Sequence, residues 1–127
     1  MPKSYYLCNK MLDAALRNVA YVPPATTYVA LFTTSPTPST TGVEVVGGGY
    51  TRQSATYGAP VNGTTDNTTD VTFPIATSDW GTVTSFGVFD APVGGNLLYF
   101  ASLSSSRYIA TNDQVRFPVG QLIATET

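Results

Sequence analysis

Three carboxylates, Asp66, Asp70 and Asp79, come nearer than any other side chains here to a reactive cluster. They lie in or near a polar stretch, Gly58–Asp70. Carboxylates grouped in this way can ligate Ca²⁺, or split acid and base roles across a glycosidic bond. Their spacing matches no EF-hand loop, so solvated turn residues are the expected reading. The chain has no histidine, which removes Ser-His-Asp and Cys-His catalysis. Zinc would need histidines or several cysteines, and only Cys8 is present. A lone cysteine also excludes an internal disulfide framework. Cys8 sits in an apolar helical pattern, where a small buried hydrophobe is expected rather than a reactive thiol. Gly47-Gly48-Gly49 has no following Lys-Ser/Thr and opens no helix, so it is a tight loop rather than a phosphate cradle. Asp90, ahead of Ala-Pro-Val-Gly-Gly, reads as a turn former. Asn62-Gly-Thr and Asn67-Thr-Thr match the glycosylation sequon by pattern alone. No catalytic residue, no metal site and no cofactor is expected.

The elements that carry these residues follow from periodicity. Between Ser4 and Asn18 apolar residues recur at Leu7, Cys8, Met11, Leu12, Ala15 and Leu16, with Val19 beyond, which is the spacing of one helical face. Ser4 can cap that helix, Asp13 and Arg17 form an i, i+4 pair, and Pro23-Pro24 forbids continuation. The apolar face is expected to lie on a sheet near Tyr28–Phe32. Thr27–Thr33 is rich in β-branched and aromatic residues and reads as a central strand. Val43–Val46, Tyr50–Tyr57 and Val71–Ile75 are further strands, the last demoted to an edge by Pro74. Trp80–Asp90 alternates, with Val83, Ser85, Gly87 and Phe89 on one side, and Leu97–Leu103 returns antiparallel. Ser104–Asp113 reads as a turn region, and Gln114–Ala124 as the last strand or strands. Ser35–Gly42 and Gly58–Asp70 are loops by composition. The expectation is one mainly β domain over residues 1–127: an antiparallel β-sandwich or partly closed barrel with one N-terminal amphipathic α-helix packed on it.

Composition narrows the function classes. Charged residues are only 11%, less than half the usual share for a soluble domain, so little charge keeps the chain soluble on its own. An assembly tolerates that better than solution does. The basic residues Lys3, Lys10, Arg17, Arg52, Arg107 and Arg116 are scattered along the chain, and the net charge is −2, so nucleic-acid binding is not expected. No apolar run approaches a membrane span, and the N-terminus lacks the apolar core of a signal peptide. No heptad stretch or repeat supports a coiled coil or a fibre shaft.

Several blocks, in this order, carry a resemblance: NKMLDAALRN in the helix, YVALFTTSPTP, GGGYTRQ, VTFPIATSDWGTVTSFGVFDAPVGGNLLYFASL and DQVRFPVGQLIAT. Together they cover nearly the whole chain. The Trp-Gly start, the Asp turn and the Gly-Gly-Asn hairpin of the fourth block are the most specific features. In these blocks the chain resembles short virion proteins of tailed bacteriophages, which carry the labels tail fibre-like or head-decoration protein. The resemblance implies a virion building block without catalysis, assembled in the host cytoplasm, with no small-molecule substrate.

Within that class a lone compact domain suits a capsid cement that staples neighbouring capsomers. The alternative is a tail fibre or baseplate appendage that contacts the host surface. A small β hydrolase is a third class, weakened by the missing histidine. The expected partners are copies of the chain itself, as a homotrimer or else a dimer, and the major capsid protein or a tail protein. The chain has eight tyrosines, a residue enriched at interfaces and carbohydrate sites. Tyr5, Tyr6, Tyr50, Arg52, Tyr57 and Tyr108 are the candidate interface residues. The two loops and the segments Met1–Ser4 and Ala124–Thr127 are expected to contribute.

Overall fold

Two runs of the chain are apolar on consecutive residues, and both become central strands because both of their faces are covered. The computed structural model describes residues 2–125. Strand β1 (Thr27–Thr34) and strand β6 (Gly81–Phe89) pair antiparallel at the centre of the main sheet, from Tyr28 opposite Phe89 to Phe32 opposite Ser85. β7 (Leu97–Ile109) pairs with β6, while the short β2 (Val43–Glu44) and β3 (Gln53–Ala55) both pair with β1. Two small ribbons complete the fold: β4 (Thr64–Asp66) with β9 (Ile123–Thr125), and β5 (Val71–Thr72) with β8 (Arg116–Phe117). All pairings are antiparallel and the sheets do not close into a barrel, so of the two expected architectures the sandwich is the one adopted.

Strand alternation sends successive side chains of β1 to opposite faces. Val29 and Leu31 enter the larger core with Val71, Phe73, Trp80, Val83, Phe86 and Leu122. Ala30 and Phe32 enter a second cluster with Phe89, Leu97 and Phe100. Aromatic contacts tie the larger core together: Tyr50 stacks on Phe73 at 6.0 Å and meets Trp80 edge-on at 5.5 Å. Gly87 is required where it stands, since a Cβ there would come within 2.8 Å of both Phe32 and Leu97 side chains. Gly48 has φ +61° in the left-handed region, and its carbonyl accepts the Trp80 indole N–H at 2.9 Å. The triple glycine is thus the expected tight loop, closed on the one tryptophan.

Helix α1 (Tyr5–Leu16) starts where expected. Ser4 caps it, accepting the Leu7 N–H at 3.2 Å, while its own hydroxyl donates to the Leu97 carbonyl. Pro2 and Ser4 bond to Phe100 and Leu98, so the chain entering the helix covers part of the β7 edge. The helix ends before Pro23, at Arg17, because Asn18 turns left-handed at φ 56° and lets the Val19 N–H reach Asp13 O.

The structure corrects several expectations. The apolar helix face does not lie on Tyr28–Phe32. The helix is pinned at its first turn to β7, only Leu7 is buried, and Leu12 and Leu16 face solvent. Cys8 is half-buried rather than buried. Ser104–Ile109 is strand, not turn. β7 runs straight through it because a bulge absorbs the extra residues: Ser85 pairs with Ser102, yet Val83 pairs with Arg107 where an unbroken register would reach Ser104. Val83 also differs from the expected face: it lies in the larger core with Phe86, while Phe89 lies in the second cluster. The Tyr50–Tyr57 strand contracts to Gln53–Ala55.

Gly58–Asp70 is not a structureless loop. Asn62 and Gly63, both with positive φ, make a tight turn, and β4 follows. Ile123–Thr125 is engaged with β4 inside the same chain, while Met1, Glu126 and Thr127 lie outside the described residues.

Candidate functional site

Asp66, Asp70 and Asp79 are placed apart, the first on a strand and the other two in separate loops. Asp66 sits on β4 opposite Ile123. Asp70 accepts the Val119 N–H at 3.0 Å and lies 3.8 Å from Arg116. Asp79 accepts the Thr111 N–H at 2.8 Å, the Thr111 hydroxyl at 3.0 Å and the Tyr108 hydroxyl at 3.0 Å. These bonds, the Thr111 N–H first, hold the Asp79 carboxyl below the usual carboxylate range. Asp70 and Asp79 are loop staples, and among the described residues no three of His, Cys, Asp and Glu converge. Asp90 accepts the Asn96 N–H at 2.7 Å and closes the β6–β7 turn.

The six candidate interface residues fall in four places. Tyr5 and Tyr6 are on α1, Tyr5 exposed and Tyr6 half-buried. Tyr108 is exposed on β7. Tyr57 is half-buried beside Asn67, with a hydroxyl that has no partner among the described residues, and burial pushes that hydroxyl up to about 12.

Tyr50 and Arg52 come together on Glu44. Arg52 grips both Glu44 oxygens at 2.8 Å, donates to the carbonyls of Ala91 and Gly94 at 2.9 and 2.7 Å, and stacks its guanidinium 3.7 Å from the Phe89 ring centre. The Tyr50 hydroxyl donates to Glu44 at 2.6 Å and accepts the Leu31 N–H at 3.0 Å. Burial pushes the Glu44 carboxyl up, but the hydrogen bonds from Arg52 and Tyr50, with the Arg52 charge, outweigh it and hold the group below its ordinary value. This latch ties β2, the segment before β3 and the β6–β7 turn into one unit. Glu44 lies in the Val43–Val46 strand segment with nothing in its spacing to pair it with Arg52, so sequence reasoning missed it.

One surface left open to partners is apolar. Tyr5, Leu12 and Leu16 lie on one side of α1, spaced by seven and four residues, and Val19 and Val22 continue past its end; all five are exposed. Seven and four residues return to nearly the same angle around a helix, so this is a stripe. Asp13 and Arg17 run along one side of it, paired with each other at 2.9 Å, and Lys10 lies round the far side of the helix. Beside its N-terminal end a groove of about 310 Å³ runs between Tyr5, Tyr6 and the Pro38–Thr41 loop. Among the described residues no helix is long and apolar enough to cross a membrane.

A family model described as "Podophage GP4 fiber I protein gp80" matches residues 2–125. No curated protein matches the chain. A match across that span, on a mainly β chain, makes this chain a member of the podophage GP4 fiber I protein gp80 family, a family of phage virion proteins.

Proposed function

We propose that this chain is a non-catalytic building block of a phage fibre, and that it joins the fibre by docking the outward face of α1 on further copies of itself. The observation that carries the reading is the apolar stripe of Tyr5, Leu12 and Leu16, left in solvent on a helix anchored only at its first turn. Few charges surround it, so desolvating the surface is cheap, and the exposed Asp13–Arg17 pair beside the stripe can exchange partners across a symmetric contact. Tyr6 and the groove beside the Pro38–Thr41 loop extend the docking surface. A trimer is the favoured closed arrangement, with a dimer next. A stable contact would bury more than ~1,200 Å² in total.

Sedimentation of the purified chain tests this, followed by addition to particles that lack it. Self-association that Leu12→Asp and Leu16→Asp abolish, with the fold intact by circular dichroism, is the expected result. A strict monomer that binds no such particle overturns it. A second reading, the capsid cement, is favoured by the single shaftless sandwich that the described residues 2–125 form, and binding to heads alone would select it.

A further inference from the structure

The side of the sandwich formed by β7 and β8 carries a cleft of about 660 Å³. It exists because the β5–β8 ribbon does not pair with β7, and because the bulge in β7 carries Ser104 and Ser105 out of register at its mouth. No residue of α1 lines it, so it is distinct from the docking stripe. Its volume is that of small-ligand sites, roughly 300–1,000 Å³.

Charge in the cleft runs against the rest of the chain. Arg17 and Arg52 are engaged with Asp13 and Glu44. Arg107 and Arg116 both line the cleft. Arg107 meets no carboxylate among the described residues, and Arg116 has only a long, solvent-exposed ion pair with Asp70 at 3.8 Å, which leaves its N–H groups open to a ligand. One carboxylate lines the cleft, Asp113, and it is occupied with the Ala110 N–H of its own turn at 2.9 Å. Two guanidiniums and one carboxylate give the lining itself a net positive charge on a chain of net charge −2, with Asp70 beside Arg116 but outside the lining.

The remaining lining is of two kinds. Phe117, half-buried with its ring 5.5 Å from that of Phe86, gives an aromatic floor, and the serine hydroxyls and Gln121 supply neutral donors and acceptors. An aromatic floor suits the C–H face of a sugar ring, hydroxyls and an amide suit its rim, and a guanidinium fork suits a carboxylate or phosphate on it. We propose that this cleft binds an anionic sugar residue, carrying a carboxylate or a phosphate, with Arg107 and Arg116 on the anionic group and Phe117 under the ring. The assignment does not depend on self-association through α1.

The test is a titration of the full chain followed by amide NMR, with glucuronic acid, glucose 6-phosphate, glucose, inorganic phosphate and an acidic pentapeptide as separate probes. Shifts concentrated at Arg107–Ile109 and Val115–Phe117 are expected with glucuronic acid, glucose 6-phosphate or both, and the pair distinguishes carboxylate from phosphate. Glucose should bind at least tenfold more weakly. Arg107→Gln with Arg116→Gln should lower affinity at least tenfold while leaving the spectrum of the free protein folded. Binding of glucose equal to that of the acids removes the anion site. Inorganic phosphate or the pentapeptide binding as tightly as the acid sugars removes the sugar site. No binding of either acid sugar, or binding unchanged in the double variant, overturns the proposal altogether.

Discussion

Replacing the leucines of α1 one at a time separates a helix that supports the core from one that serves a partner. Leu7 is 3% exposed, Leu12 55% and Leu16 78%. Truncating a core leucine costs about 2–5 kcal/mol, and Leu7→Ala should fall in that range. Complete burial of a leucine side chain contributes about 1.5–3 kcal/mol, so Leu16, with roughly a fifth of its surface covered, can lose no more than about 0.5 kcal/mol. Alanine's slightly better helix propensity brings that closer to zero. Leu12→Ala should lie between, near 1 kcal/mol. Urea unfolding at a concentration where the chain is monomeric, followed by Trp80 fluorescence, measures each loss. The order should reverse in the association constant, which Leu7→Ala should leave unchanged: burying Leu16 against another copy would make Leu16→Ala cost about 1.5–3 kcal/mol of association, or roughly 10- to 150-fold. A loss of 2 kcal/mol or more for Leu16→Ala in the monomer would mean that the helix packs on the core, and an association constant untouched by it would remove the stripe from the interface.

Arg52→Ala should destabilise by about 3 kcal/mol in urea melts, since it strands the partly buried Glu44 carboxylate; Arg52→Lys should recover little, because an ammonium cannot fork onto two oxygens. Glu44 has a folded value below its ordinary 4.5, so its contribution is present above that pH and is lost as pH falls through the depressed value; Glu44→Gln should flatten this part of an acid stability curve. Asn67 is fully buried and bonds Thr69 O, Pro118 O and the Leu122 N–H, so Asn67→Ala should cost about 2–3 kcal/mol in thermal or urea unfolding. Tyr57→Phe removes a buried hydroxyl that has no partner among the described residues, and its melting temperature should equal or exceed that of the parent chain.

Much of the fold was legible because two signals agreed along the strands: β-branched and aromatic composition, and apolar patterning. Thr27–Thr34 and Gly81–Phe89 were both recognisable, and Ser4 announced the helix by its type and position. The misses have particular causes. An apolar helical face reads identically whether a sheet or another chain covers it, so Leu12 and Leu16 could not be told from core. Ser104–Arg107 is polar and small, and a strand that carries a bulge at a sheet edge loses the alternation that would reveal it. Asn62-Gly63 was a readable hairpin signal inside Gly58–Asp70, masked by the polar residues around it.

The candidate residues fared differently because burial is a tertiary property. Tyr5 and Tyr108 are exposed, while Arg52 turned inward onto a glutamate whose side-chain partner no local pattern marks. The cleft brings together Arg107 and Arg116, which in sequence are merely two of several scattered basic residues.

Membership in a fibre family, an uncovered apolar helix and the lack of a reactive cluster among the described residues all bear on where the chain sits in the particle. Intact virions labelled with an antibody to the chain and imaged by electron microscopy decide it. Label confined to fibres at the tail end of the particle is the expected result, and label spread over the capsid surface with none on the fibres would contradict it.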